Sequence, residues 1–155
     1  MYNAQLTKAV TLTPAQIKSL IASPTLLITG RAGQIIKLLS CFIRYQPGTV
    51  SFGTIQAGDA ITPMLGSSIS TALIQNDGEG LTATGFIDQT TNAMGAWLLM
   101  PWSNPDVSPV STAVLKGASV YLTQFNQNTY PSGTDWTTGN GTLTVFLRYS
   151  FIEAL

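Results

Sequence analysis

Apolar and polar residues alternate with a period of two through much of the chain after Pro24, which is typical of strands with one buried face. Residues 142–152 show the pattern most clearly, because nearly every second residue is apolar and most of those between are polar. The apolar face comprises Leu143, Val145, Leu147, Tyr149 and Phe151, and the other face includes Thr144, Arg148 and Ser150. Similar patterns predict further strands over residues 26–28, 34–45, 49–55, 69–74, 81–87, 93–100 and 113–125.

One short helix is predicted near the start of the chain, over residues 14–21. Thr13 is the N-cap, with Pro14 at the first helical position and Gln16 at the third, which is the pattern of a capping box. Ser23-Pro24 then prevents the helix from continuing. Residues 1–10 have neither turn residues nor a strong period, so we interpret them as an extended arm or an edge strand that could reach a neighbouring subunit.

Turn residues between the strands predict how the strands connect. Gly30-Arg31-Ala32-Gly33 predicts a hairpin between residues 26–28 and 34–45, and the Gly, Pro and Ser content of residues 57–68 predicts a loop. Residues 76–80 likewise predict a hairpin loop. The near-continuous apolarity of residues 93–100 predicts a strand buried on both sides.

About eight strands and one short helix, with turn signals roughly every 8 to 12 residues, predict an all-β fold. The arrangement expected is an antiparallel β-sandwich, and the jelly roll is the favoured topology. A chain of 155 residues is long enough for one core, so residues 1–155 are expected to form a single domain.

The chain carries few charges, and this low charge limits the kinds of partner that we expect. Charged residues make up 9% of the sequence and the formal net charge is zero, while the mean hydropathy is +0.24. Net charge helps to keep proteins soluble, so we expect partner subunits to cover much of this surface. The alternative is a monomer covered by Ser, Thr and Asn. Nucleic acid is not an expected partner, and no apolar stretch approaches the roughly 20 residues of a membrane-spanning helix.

The side chains on which enzymes build proton-transfer and metal chemistry are scarce. The sequence has no histidine, one cysteine and seven acidic residues, so we expect no catalytic activity, no cofactor and no metal centre. Cys41 lies in an apolar run and is expected to be buried and inert. Several acidic residues have turn-forming neighbours, which explain them better than a glycosidase pair or a calcium site would: Asp59, Asp77, Glu79, Asp88, Asp106 and Asp135.

Aromatic residues in predicted loops are candidates for contacts with a partner. Trp102, Tyr130 and Trp136 could contact a subunit, stack on a sugar, or fold back to cap the ends of the sandwich. Trp97, within an apolar strand, is more simply a core residue. The predicted partner contacts combine the loop rings with apolar residues of the N-terminal segment: Met1, Tyr2, Leu6, Val10, Trp102, Tyr130 and Trp136.

Both ends of the chain resemble small virion proteins of tailed bacteriophages, whereas residues 47–110 match no such pattern. The resemblance is carried by residues 12–20, Pro24-Thr25, residues 30–36 and residues 141–149. It implies a β-sandwich subunit that assembles with copies of itself, often as trimers, and attaches to a capsid or tail. Cement proteins of this kind clamp neighbouring major capsid proteins, and the resemblance carries over no catalytic residues.

The leading hypothesis is therefore a phage capsid cement or decoration protein. It would be made in the host cytoplasm, form a homotrimer and bind the major capsid protein on the outer capsid surface. Residues 1–10 would serve as a clamp whose deletion leaves the fold intact. The alternative is a tail or fibre component that binds host-surface carbohydrate through Trp102, Tyr130 or Trp136.

Overall fold

Eight strands and one short helix make up the regular structure in the described part of the chain. The computed structural model describes residues 4–66, 81–83, 86–88, 90–91, 93–97, 116–126 and 135–153. In chain order the elements are β1 (Leu6–Leu12), α1 (Pro14–Lys18), β2 (Thr25–Ile28), β3 (Gln34–Gln46), β4 (Asp59–Leu65), β5 (Leu81–Thr82), β6 (Ala93–Trp97), β7 (Val120–Asn126) and β8 (Thr142–Glu153).

The strands form two four-stranded antiparallel sheets, in the orders β1-β8-β3-β6 and β2-β7-β4-β5. The pairs β1 with β8, β2 with β7, β3 with β6 and β4 with β5 nest inside one another, as in a single long hairpin. Two further pairs, β3 with β8 and β4 with β7, roll that hairpin into two sheets. This is a jelly roll, so the predicted all-β antiparallel sandwich is confirmed.

Alternating residues of both sheets fill one hydrophobic core. The first sheet supplies buried residues from its two central strands, including Ile36, Cys41, Ile43, Val145 and Leu147, and the second sheet supplies Leu27, Ile28, Ile61, Val120 and Leu122. Burying one large aliphatic side chain contributes about 1.5–3 kcal/mol. The period-two patterns of residues 34–45 and 142–152 correspond to β3 and β8, whose inward side chains form most of one side of the core.

The capping box places α1 as predicted, although the helix is shorter. The Thr13 side chain accepts a hydrogen bond from the Gln16 N–H, and the Gln16 side chain accepts one from the Thr13 N–H. The helix ends at Lys18 rather than at residue 21, because Ser19 leaves the helical conformation and its hydroxyl donates to the Ala15 carbonyl. The helix has five residues. No helix in the described part of the chain is long and apolar enough to cross a membrane.

The N-terminal segment forms an edge strand from Leu6 onward. Strand β1 pairs with β8 in unbroken register from Leu6 opposite Tyr149 to Leu12 opposite Leu143. Leu6 and Val10 pack against the core, and Leu12 is fully buried. Of the two alternatives for residues 1–10, the edge strand is the one observed for residues 6–10. Its pairing with β8 argues against the expectation that deletion of residues 1–10 leaves the fold intact.

Strands β2 and β3 follow each other in the chain but belong to different sheets, so the hairpin predicted between them is wrong. Strand β2 pairs with β7, and β3 pairs with β8 and β6. The connection passes close to Gly117, where a Cβ atom on Gly30 would overlap the Gly117 carbonyl. Glycine at residue 30 therefore allows the chain to cross between the sheets.

The sequence predicted a strand over residues 49–55 and a loop over residues 57–68, and the structure shows the opposite order: an irregular segment comes first and strand β4 follows. Residues 49–55 form no strand, because Thr54 has a left-handed φ of 63° and the Val50 N–H is bound by the Asn140 side chain. Strand β4 lies within residues 57–68 despite Pro63. In the described residues, β5 pairs only with Ala60 and Ile61, so Pro63 stands where β4 has a partner strand on one side.

Three other strand predictions change at their ends. Strand β6 lies at a sheet edge, and its Met94 is 69% exposed, so this strand is not buried on both sides. Strand β7 begins at Val120, because Gly117 has a φ of +75° in the preceding turn. Of residues 81–87, those described comprise the short strand β5, Ala83 and a turn that begins at residue 86, and residues 69–74 lie outside the described residues.

Candidate functional site

Two phenylalanine side chains stack on the outward surface of the sheet β1-β8-β3-β6. Phe42 of β3 lies opposite Phe146 of β8, with ring centroids 4.8 Å apart and 15° between the ring planes. Their chain neighbours, such as Cys41 and Val145, are buried in the core, so strand alternation places both rings outside. Phe42 is 38% exposed. The pair stabilises the sheet, and it also presents apolar surface at the sheet's centre.

Two arginine side chains flank this pair. Arg44 is two residues along β3 from Phe42, and its guanidinium carbon lies 5.8 Å from the centroid of the Phe146 ring. Arg148 is two residues along β8 from Phe146, and its Nε donates to Oε1 of Gln5 at 2.9 Å. Both arginines are exposed. Since a ring and an amide are neutral, these contacts leave both positive charges available to a ligand.

A methionine and a threonine extend the surface on either side. Met94 of the edge strand β6 lies opposite Arg44, and Thr144 of β8 lies opposite Arg44 on its other side. The Thr144 hydroxyl shares a hydrogen bond of 3.0 Å with that of Thr11 in β1. We name this surface the aromatic face and define it as Phe42, Arg44, Met94, Thr144, Phe146 and Arg148.

The chemistry of the aromatic face suits binding. Arginine stays protonated in proteins, and phenylalanine has no polar atom, so these side chains exchange no proton with a substrate. A guanidinium group does bind carboxylates through paired hydrogen bonds, and it also stacks on aromatic rings. The face therefore combines an apolar centre with two anion-binding groups.

A second cluster of polar residues is buried between the sheets, around Asp59 at the start of β4. Its carboxylate accepts hydrogen bonds from the side chain of Asn126 at 2.8 Å, from the indole of Trp136 at 3.2 Å and from the backbone N–H of Gln56 at 2.8 Å. Asp59 is fully buried. Because these contacts join β4 to β7 and tie two loop segments to β4, the cluster holds the fold together at this end of the sandwich.

Two ionisable groups of the core have raised pKa values. Burial raises the pKa of the Cys41 thiol to about 12, and the residue is buried as predicted. Burial also raises the pKa of Tyr45, with a smaller contribution from the negative charge of Asp88. Both groups are therefore neutral near pH 7, and a neutral thiol is a weak nucleophile.

The structure places three of the predicted partner contacts. Leu6 and Val10 lie on edge strand β1, half-buried against the core. Trp136 is only 2% exposed and bonds to Asp59, so its prediction as a partner contact is corrected: it is a core residue, as the folded-back alternative had it. Its indole fills the end of the sandwich beside Phe52, with ring centroids 6.1 Å apart.

The other four predicted contacts, Met1, Tyr2, Trp102 and Tyr130, lie outside the described residues, as do Asp77, Glu79 and Asp106. Among the acidic residues that are described, Asp59 closes the turn at residues 57–58, as its N–H donates to the Gln56 carbonyl at 3.0 Å, and it is also the first residue of β4. Asp135 accepts a hydrogen bond from the Ile21 N–H at 3.2 Å. Within the described ranges, no three residues of the types His, Cys, Asp and Glu are grouped for a metal ion.

The aromatic face was missed at the level of sequence, although a signal was present. Phe146 interrupts the polar side of the alternation in residues 142–152, between Thr144 and Arg148. A large apolar residue on a polar strand face is the kind of exception that marks exposed apolar surface. Its partner Phe42 lies about 100 residues away in sequence, and only the register of β3 and β8 brings the two together.

Comparisons with known proteins find little similarity in sequence. No protein-family model matches the chain, and no curated protein matches it. Among solved structures, a chain in the cryo-electron microscopy structure of Mud crab tombus-like virus is similar with a TM-score of 0.27 and 11% sequence identity. The alignment covers 100% of this chain and 84% of that one.

Proposed function

We propose that this chain is a structural subunit of a virus particle, of the cement or decoration kind, which self-associates and clamps neighbouring major capsid proteins. The observation that carries the proposal is the jelly-roll pairing of the eight strands in the described residues. Viral capsid domains, lectins and cupins share this topology. The sequence has no histidine, the commonest metal ligand, which disfavours a cupin-like metal centre. The resemblance of both chain ends to phage virion proteins supports the choice of a virion role.

Exposed apolar side chains support a subunit that has neighbours. Large hydrophobic residues are exposed on the outer faces of both sheets and in a connecting loop: Leu26 at 42%, Phe42 at 38%, Met94 at 69% and Val50 at 50%. Their positions on opposite sides suit a subunit that contacts more than one partner. A subunit placed between capsid proteins buries such residues on assembly.

The edge strands of the first sheet offer a route to self-association. An edge strand presents unpaired N–H and C=O groups that accept a strand from another chain. Strand β1 has seven residues, and Lys8 is its only charged residue. We propose that β1 and β6 form contacts between copies, with a trimer as the favoured state. Each contact adds a modest free energy, and attachment at several sites multiplies the affinity for the shell.

Two measurements test the proposal. Mass spectrometry of purified virus particles is expected to find the chain in many copies, and cryo-electron microscopy is expected to place it on the outer capsid surface. Light scattering coupled to size-exclusion chromatography is expected to give a trimer for the isolated chain. A monomeric chain that is absent from particles would contradict the proposal. Density at a tail tip, together with binding to host glycans, would support the fibre alternative instead.

A further inference from the structure

The aromatic face has the composition of a protein–protein interface. Aromatic residues, Met and Arg are enriched in the centres of such interfaces, whereas Lys is depleted. The six residues of the face include two Phe, two Arg and one Met, and contain no Lys. Phe42 and Phe146 belong to β3 and β8, the two central strands of their sheet. They would therefore lie near the centre of an interface formed by this face, where binding energy is usually concentrated.

We propose that the aromatic face docks on an acidic surface of the major capsid protein, with the phenylalanine pair against an apolar centre and Arg44 and Arg148 paired with carboxylates on either side. This inference rests on the proposed function, because it names the chemistry of the partner that the subunit clamps. Strand rise places the two arginine positions about 13 Å apart along the strands, which is wide enough to enclose the ring pair between them.

Charge selects an acidic partner over a second copy of the chain. The strands of this sheet contain Lys8, Lys37, Arg44 and Arg148 against the single acidic residue Glu153. Glu153 is in register with Gln34 at the end of the sheet and accepts its hydrogen bond at 2.8 Å. A chain with no net charge thus has a locally positive sheet. Two copies packed face to face would oppose arginine with arginine, which is unfavourable.

Single-stranded nucleic acid is the other anionic partner to consider, since bases stack on exposed aromatic rings. In the aromatic face the two rings stack on each other at 4.8 Å, so each covers one surface of the other. This leaves less ring surface for bases than two separate rings would. The exposed thioether of Met94 suits the adaptable apolar packing found between proteins. We therefore favour a protein surface.

A charge-reversal experiment on shells prepared without this chain tests the inference. In co-sedimentation, we expect Arg44→Glu/Arg148→Glu to weaken binding at least about tenfold, and wild-type binding to fall as NaCl increases. The matched control, Lys18→Glu/Lys116→Glu, makes the same charge change outside this sheet and should bind within about twofold of the wild type. Circular dichroism confirms that each variant is folded.

Truncation of the exposed rings gives a second comparison. Phe42→Ala is expected to weaken binding about tenfold, whereas Thr29→Ala, which shortens an exposed neutral side chain just after β2 in the other sheet, should have little effect. If the charge-reversed pair binds as well as its control, or if salt does not affect wild-type binding, the inference is wrong while the proposed function stands.

A solution titration separates this inference from the proposed function. With poly-L-glutamate as the probe, we expect NMR shifts at aromatic-face residues of the wild type and none in Arg44→Glu/Arg148→Glu. Such shifts would support the docking chemistry even if the wild type failed to bind shells, a result that would count against the cement role alone. Tighter binding of a single-stranded oligonucleotide than of poly-L-glutamate, at equal charge concentration, would overturn the choice of an acidic protein surface.

Discussion

The indole of Trp136 donates a hydrogen bond to the carboxylate of Asp59, with 3.2 Å between Nε1 and Oδ2, and both residues are buried. The other two partners of this carboxylate, the Asn126 side-chain amide and the Gln56 backbone N–H, are also donors. Both carboxylate oxygens therefore act as acceptors. Through them, Asp59 joins β4 to β7 and to two loop segments, so this end of the sandwich depends on one side chain.

Asp59→Asn is expected to lower the free energy of unfolding by about 2–3 kcal/mol, because the new NH₂ group must face one of the buried donors. Urea unfolding followed by fluorescence measures the change. Trp136→Phe keeps an aromatic ring and removes only one donor. The lost hydrogen bond should lower the free energy of unfolding by about 1 kcal/mol, in addition to the effect of the smaller ring on packing. Equal stability of Asp59→Asn and the wild type would show that the carboxylate is not needed as an acceptor at both oxygens.

Two glycines with left-handed backbones should respond differently to substitution. Gly139 has a φ of +112°, and a Cβ atom there would overlap the ring of Phe52. Gly33 has a φ of +74° with open space around it. We expect Gly33→Ala to cost about 1 kcal/mol for backbone strain alone, and Gly139→Ala to cost about 3 kcal/mol or more because packing is also disturbed. Similar melting temperatures for the two variants would contradict the close contact between Gly139 and Phe52.

Removal of residues 1–10 is expected to destabilise the fold, since it takes away most of β1. Leu6 and Val10 leave the core, and β8 loses most of its partner strand, which makes β8 a new sheet edge. A loss of more than about 2 kcal/mol follows from the apolar burial alone. Thermal unfolding measures the loss, and size-exclusion chromatography detects aggregation at the new edge. The control, Thr7→Ala, changes an exposed residue of β1 and should stay within about 0.5 kcal/mol of the wild type.

Local sequence signals predicted those parts of the fold that depend on near neighbours. The capping box of Thr13 and Gln16 placed the helix start, and strict alternation placed β3 and β8 to within one residue at most ends. Partner choice between strands is a long-range property, and the hairpin prediction around Gly30 failed for that reason. Strand β4 lies within the predicted loop of residues 57–68, because a proline breaks a strand only where the ladder needs its N–H, and composition does not reveal whether Pro63 is at such a position.

The candidate site was harder to predict than the fold. Polar neighbours make the aromatic rings of predicted loops look exposed, yet Trp136 is buried in the core and donates a hydrogen bond to Asp59. Phe42 is the reverse case, since a phenylalanine in an apolar strand looks like a core residue. Which side of β3 it occupies depends on the strand's register and on the shift between Leu38 and Ser40. Register over such distances is set by the whole fold.

The buried thiol of Cys41 makes the free energy of unfolding decrease as the pH rises above about 9. Burial raises the pKa of its thiol from 9.0 to about 12, so above pH 9 the unfolded chain loses a proton that the folded chain keeps. This contribution to stability is fully present below pH 9 and is lost as the pH rises toward 12. The decline is up to about 1.4 kcal/mol per pH unit for this one group.

Urea unfolding at several pH values between 8 and 11 measures this decline, and Cys41→Ala should make it shallower. Tyr45→Phe serves as the comparison, because burial also raises the pKa of Tyr45 and its contribution has the same sign. At pH 8 the folded wild type should react with a thiol reagent only as fast as it unfolds, since the neutral, buried thiol is a poor nucleophile. Rapid labelling of the folded protein, or an identical pH dependence in Cys41→Ala, would show that the thiol lies outside the core.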